Sequence, residues 1–337
     1  MDEVTYAVGI VGAGVVAQQI GESLFERTFP VSSLRFLGGE SSIGEQIEVA
    51  GTTYLVEPLD ERTRSLDFVF VTRETVWSDR DVEAILLGGA TVVDCSGRYA
   101  SEVDVPLIVP ECNGDSVAEV RERQIVASPD AVAIALSVVL APLNAEAGVR
   151  RVVATALESV SEAGARGIEE LSRQTIELLQ GRSTEAEVFP ARVCFNVLPH
   201  LGEVGASGDA LSEEQSLWQV RRVLDLAELP ITLNRVLVPM FYGTGIALNV
   251  ELQTPLEAAE AIELLRAAPG ILLTTPEEEA DLTVGTAVGQ DATVVSRVRV
   301  DRSTENAINL WLSFDNTRKG GAVNAVQIAE LILRERD

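Results

Sequence analysis

A short apolar run at residues 6–11 passes through GAGVVA at Gly12 to Ala17 into a stretch with helical spacing that reaches Leu24 and Phe25. A strand, a glycine turn and a helix are the elements expected from that order. Further apolar runs at 34–37, 68–72, 91–95, 107–109 and 125–127, with a helical pattern at 79–87, predict more strands in the same layer. Short β-branched runs without alternation belong to strands buried on both faces. This part of the chain is therefore read as a Rossmann-like, doubly wound parallel sheet.

Beyond residue 127 the pattern changes. Pro129 and Asp130 introduce an apolar helix at 131–140, and longer or alternating runs follow at 151–160, 237–241, 246–252, 292–300 and 307–314. With helices expected near 167–179 and 256–267, these runs predict a second, α+β domain with a mostly antiparallel sheet. The last helix, 321–334, carries Val323, Val326, Ile328, Leu331 and Ile332 on a broad apolar face, which a return to the first domain would cover. Residues 202–208 are the best candidate for a mobile loop.

A length of 337 residues exceeds what one core usually serves, in keeping with two domains. Lysine and arginine number 26 against 52 acidic residues, a formal charge of -26, and such a surface repels the phosphates of nucleic acids and of anionic lipids. Neither is expected as a partner. The opening Met-Asp-Glu lacks the basic and then apolar order of a signal peptide, so a cytoplasmic protein is expected. The longest apolar stretch, 131–143, contains Ser137 and Pro142 and is too short to cross a bilayer. Cys95, Cys112 and Cys194 have no metal-type spacing and read as free thiols, Cys95 and Cys194 in strands and Cys112 in a loop. No metal site is expected. His200, the one histidine, reads as a packed or surface residue.

In the glycine turn, Gly12 and Gly14 allow a tight reversal and a close backbone approach to a pyrophosphate, with Ala13 and Val15 completing the loop. Ala17 permits helix-to-sheet packing. Glu40 and Ser41 follow the second predicted strand, where an acid accepts from ribose hydroxyls and repels a 2′-phosphate. Of NAD and NADP, NAD is favoured.

Several runs together resemble the aspartate-semialdehyde dehydrogenase family: RTFPVSSLRFLGGESSIGEQIEVAG, DVPLIVPECN, FNVLPHLGE and DNTRKGGAVNAVQIAE. The similarity spans essentially the full length and extends to the Usg-type subgroup, whose active sites have diverged. It implies a nucleotide-binding-like domain at 1–128, completed by the C-terminal helix at 317–337, and a dimerisation domain at 129–316. It also implies a homodimer, and a place for Asn316 beside the cofactor.

The family's chemistry uses a cysteine thiolate, a histidine base and an arginine that clamps the substrate carboxylate. In the run ASPDAVAIAL, Asp130 stands for the family's asparagine and Ala131 for its cysteine, and in VPMFYGTGIAL Thr244 stands for the histidine. Leu237 occupies the arginine's position, Glu158 that of a substrate glutamine and Ser216 that of a lysine. Ala100 matches a phosphate-binding arginine, with Arg98 close enough to substitute. A glycine turn after the third strand is replaced by VTRETVW, in which Arg73 can pair with Glu74 or meet a pyrophosphate; the later glycines of the first turn correspond to Val15 and Gln18. Asp130 is read as a helix N-cap rather than a base.

Asp130, Glu158, Arg98 and Leu237 are thus candidate pocket residues with no catalytic pair among them. A non-catalytic homodimer that retains dinucleotide or other ligand binding is expected, its ligand or protein partner unidentified. An oxidoreductase of altered chemistry, using Asp130, Glu158 or Thr244 on an aldehyde or related metabolite, is the alternative. A structural partner of another enzyme is the third reading.

Overall fold

In the computed structural model, which describes residues 4–60, 63, 65–73, 78–200, 202–274 and 282–336, the first strand is β1 (Tyr6–Val11). It leads through the glycine turn into α1 (Val15–Glu26), then β2 (Val31–Gly38), β3 (Gln46–Val49), β4 (Thr52–Pro58) and β5 (Phe68–Val71). Next come α2 (Asp79–Leu87), β6 (Thr91–Asp94), the one-turn helices α3 (Pro110–Asn113) and α4 (Val120–Arg123), and β7 (Ile125–Ala127). Seven strands form one sheet in the order β3-β4-β2-β1-β5-β6-β7. Every pair from β4 to β7 is parallel, and only β3 runs antiparallel, to β4. All residues of β5 and β6 are buried, as strands covered on both faces must be.

A helix from Ala131 follows, α5 (Ala131–Ala147), and then β8 (Val149–Glu158), α6 (Gly164–Leu179), α7 (Leu211–Val223), β9 (Ile231–Leu237), β10 (Thr244–Leu252), α8 (Ala258–Ala267), β11 (Ile271–Leu273), β12 (Thr293–Val300) and β13 (Ala307–Phe314). Their sheet has the order β11-β12-β13-β10-β8-β9; its three inner pairs are antiparallel and its two outer pairs parallel. The chain closes with α9 (Val323–Arg336). Two compact units result, residues 1–130 with 321–337, and residues 131–320. The first has a core in which Val8, Ile10, Phe36, Phe68 and Phe70 meet α1 and α9, the latter through Ala325, Val326, Ile328 and Ala329. In the second, the apolar α5 lies in one core with alternate residues of β8, β10 and β13.

Four sequence expectations need correction. Residues 107–109 form no strand: Leu107 makes one bridge to Ala127, and Val109 is already the N-cap of α3, whose Pro110 has no N–H to continue a ladder. The strand expected at 237–241 ends at Leu237 and begins at Ile231, because Pro239 stops it and a buried arginine, Arg235, hides its alternation. The hairpin of β3 and β4 was not anticipated; it turns at Ala50 and Gly51, both with positive φ (49° and 75°), and the Ala50 N–H donates to the Glu22 carboxylate. Cys194 lies in a turn rather than a strand, Cys112 in α3 rather than a loop, and Cys95 just past β6.

Residues 202–208 begin a small closed turn, with a bridge between Val204 and Ala210 and the Gly205 N–H donating to the Asp209 carbonyl. Among the described residues no helix is long and apolar enough to cross a membrane.

Gly167 holds α6 close to the segment that follows β8. A Cβ there would lie 2.2 Å from the Val160 carbonyl oxygen, 3.0 Å from the Ala163 Cβ and 3.1 Å from the Phe189 ring. Alanine gains about 1 kcal/mol of helix propensity over glycine, whereas overpacking against atoms that cannot rotate away costs roughly 1–3 kcal/mol. The carbonyl is backbone, so the steric term wins. Gly167→Ala is expected to lower stability in urea denaturation; an unchanged or raised midpoint would show that α6 can retreat freely.

Candidate functional site

Within the first unit the glycine turn is built for backbone approach. Gly12 has φ +139°, a conformation closed to side chains, and its N–H donates to the Leu37 carbonyl across the sheet. Gly14 is the N-cap of α1 and brings no side chain to the first-turn N–H groups, leaving them directed at whatever anion approaches. Ala13 and Val15 are half-buried beside it, and Glu40 and Ser41 are exposed in the turn after β2. That turn is tight: a Cβ on Gly38 would meet the Ser42 Oγ at 2.3 Å.

On the same sheet, the loop after β6 is organised by a buried carboxylate that sequence reasoning missed. Asp94 accepts from the Ser96 N–H and hydroxyl and, at 2.9 Å, from the Tyr99 N–H. Burial raises its pKa above the ordinary aspartate value, although these hydrogen bonds and Arg98 pull the other way. The signal was present as Asp-Cys-Ser-Gly, an acid two residues before serine and glycine, which is a frequent side-chain-capped turn. Arg98 is exposed, its guanidinium 5.7 Å from the Tyr99 ring centre, and Ala100 is buried. Burial, with the neighbouring Asp94, pushes the Cys95 thiol pKa far up, so no thiolate forms there near neutrality. Arg73 is exposed after β5, while Glu74 falls outside the described residues.

The second unit gathers three of its candidate positions, with Phe314, in one row. Register pairs Leu237 with Glu158, Glu158 with Thr244, and Thr244 with Phe314, across β9, β8, β10 and β13. Directly paired residues project from the same face of a sheet, and all four are fully buried. Period two puts Arg235 on that face as well, one step back from Leu237. Its Nε lies 3.0 and 3.1 Å from the two Glu158 oxygens and its Nη2 2.6 Å from Oε1. Arg235 was absent from the sequence candidates; the counting of side-chain faces along β9 would have found it, had the strand been placed at 231–237.

Around this pair the supports are internal. Arg235 Nη1 reaches the Ser216 hydroxyl at 3.3 Å and the Ser212 carbonyl at 3.4 Å, both on α7, and its backbone N–H donates to Glu213. Glu162, partly exposed, stands 3.7 Å from Nη2. Asn316 exchanges hydrogen bonds with Ser161, donates to Glu162 at 3.0 Å and accepts from the Gly243 N–H at 3.1 Å. Its amide thus ties the end of β13 to the segments that follow β8 and precede β10. The Thr244 hydroxyl is buried with no hydrogen-bond partner.

Ala131 is the first residue of α5, and Asp130, also buried, immediately precedes it. Gly320 packs so closely that a Cβ there would come within 2.4 Å of the Ala131 Cβ. Cys194 belongs to another cluster, with Val160, Leu171 and Phe189; its N–H donates to Gln174 and its sulfur pairs with the Thr175 hydroxyl. His200 is half-buried, with Nδ1 3.2 Å from the Gly202 carbonyl. Among the described residues no group of three or more His, Cys, Asp or Glu is placed to hold a metal ion.

A doubly wound nucleotide-type sheet in one unit and a mostly antiparallel sheet in the other define the architecture of two-domain semialdehyde dehydrogenases. Comparison with known proteins agrees: the description "Semialdehyde dehydrogenase, NAD binding domain" matches residues 7–120 and "Semialdehyde dehydrogenase, dimerisation domain" residues 140–319. The chain is 32% identical to an aspartate-semialdehyde dehydrogenase of Rickettsia bellii and 34% identical to aspartate-semialdehyde dehydrogenase 2 of Vibrio cholerae, with 98% of each chain covered. A crystal structure of aspartate semialdehyde dehydrogenase II from Vibrio cholerae superposes with a TM-score of 0.93 at 33% identity, over 99% of this chain and 100% of that one. The protein belongs to the aspartate-semialdehyde dehydrogenase family.

Proposed function

We propose that this protein is a non-catalytic member of its family, a homodimer that binds a dinucleotide or another small ligand without carrying out covalent aldehyde oxidation. The observation that carries the reading is the state of the buried row and of the α5 terminus. Ala131 supplies no nucleophile and Thr244 no titratable base. Glu158, the carboxylate of the row, is held by Arg235, whose donors occupy lone pairs a base would need. That commitment also weighs against an oxidoreductase of altered chemistry built on Glu158.

Dinucleotide binding is supported by the open glycine turn and the match to an NAD-binding domain. Glu40 beside that turn favours NAD over NADP. Dimer formation is supported by the match to a dimerisation domain and by the second sheet, where Ala247, Asn249, Asn309 and Trp311 leave one face partly open.

The relatives are named for aspartate semialdehyde, which defines the test. Purified protein with aspartate semialdehyde, phosphate and either cofactor is expected to form NADH or NADPH no faster than a protein-free control, while calorimetry shows NAD bound more tightly than NADP. Phosphate-dependent reduction of cofactor that disappears when one of the protein's own residues is changed would overturn the reading.

A further inference from the structure

We infer that Glu158 is a built-in carboxylate ligand of Arg235, a specificity-determining residue that turns small carboxylates away from a guanidinium that would otherwise recruit them. The guanidinium holds this carboxylate through two donors, Nη2 to Oε1 at 2.6 Å and Nε shared between Oε1 and Oε2 at 3.0 and 3.1 Å, as it would hold a bound carboxylate. Here the carboxylate comes from the chain itself, on the neighbouring strand and in register with Thr244.

The other donors and neighbours of the guanidinium are also internal to the chain. Nη1 is directed at Ser216 and Ser212, and Glu162 stands 3.7 Å from Nη2. Two carboxylates thus already face one cation. A third would have to displace Glu158 or add like charge in a site where Glu158 and Arg235 are 0% and 5% exposed and water screens little. A buried ion pair is a weak source of stability compared with apolar residues of the same volume, so its presence calls for another return, and ligand discrimination supplies one. The row also keeps a polar group, the buried Thr244 hydroxyl, that has no hydrogen-bond partner among the described residues. A site whose cation is satisfied and whose free group is a hydroxyl admits a neutral ligand carrying a hydroxyl or carbonyl.

This inference deepens the non-catalytic reading and is tested by binding alone, without turnover. Aldehyde oxidation would defeat that reading and leave this one standing, and a failed binding result would do the reverse. The probe is malonate, compared with chloride at equal ionic strength. Glu158→Gln keeps the side-chain volume and removes the charge, so the variant is expected to bind malonate at least about tenfold more tightly than the unaltered protein. Its melting temperature should rise with malonate while that of the unaltered protein does not. Glu158→Gln/Arg235→Met is expected to lose the gain.

Equal malonate affinity in the unaltered protein and a folded Glu158→Gln variant would overturn the inference, as would a gain that survives loss of Arg235. If Glu158→Gln does not fold, Glu158→Ala is refolded with acetate, which replaces the deleted group. Acetate-dependent recovery of folded protein supports the inference, and recovery indifferent to acetate refutes it.

Discussion

Arg235→Leu is expected to destabilise the protein by about 3–5 kcal/mol, the usual cost of leaving one partner of a buried ion pair without its counter-charge. Glu158 is fully buried, and its two oxygens take three short contacts from the guanidinium. Removal of Arg235 also strips Ser216 and the Ser212 carbonyl of a donor. The double variant Arg235→Met/Glu158→Leu removes both charges and keeps the volume, and most of the stability should return. Denaturation followed by tryptophan fluorescence in a Trp77→Phe background reads the second unit, since the other two tryptophans, Trp218 and Trp311, lie in it. A single variant within about 0.5 kcal/mol of the unaltered protein would show that the pair is as weak as a surface one.

Asp94→Ala is expected to cost about 3 kcal/mol, because it leaves the Tyr99 N–H and the Ser96 N–H and hydroxyl without their acceptor where no side chain can replace it. The loop that carries Arg98 should loosen with it, and hydrogen exchange at Tyr99 should accelerate. Asp94→Asn isolates the charge. Burial holds the native pKa of Asp94 above its ordinary value, so between the ordinary and the raised pKa the native state binds more protons than the unfolded state. Stability then falls as pH rises through that window and is flat above it. The unaltered protein should therefore lose stability relative to Asp94→Asn as pH climbs from the ordinary aspartate pKa to the raised one. A difference that grows in the opposite direction would show that the three hydrogen bonds outweigh burial.

The superposed structure from Vibrio cholerae shares this fold at a TM-score of 0.93 with 33% of residues identical. That combination separates what packing conserves from what chemistry requires. The buried row of Leu237, Glu158, Thr244 and Phe314 contains one charged side chain, Glu158, and Arg235 on the same face balances it. Arg235 lies two residues before Leu237 on β9 and so on the same face, and Glu158 supplies the compensating charge.

Periodicity alone fixed much of this architecture. Continuous apolar runs at β1, β5 and β6 can exist only in a sheet covered on both sides, the glycines at 12 and 14 mark the turn into α1, and the long alternation of β10 and β13 demands a sheet with unlike faces. That residues 131 and 244 are alanine and threonine was equally plain, because residue identity is local information. What the linear chain concealed was every feature that depends on a partner remote in sequence. Arg235 and Glu158 lie 77 residues apart, and nothing in either segment announces that the two charges cancel in a common interior. The hairpin of β3 and β4 escaped because Ala50 adopts a backbone conformation that its side chain disfavours, with the Glu22 carboxylate of α1 accepting from its N–H. Burial converts such distant pairs from neutral surface options into obligatory ones, and burial is a property of the folded molecule rather than of its residues in order.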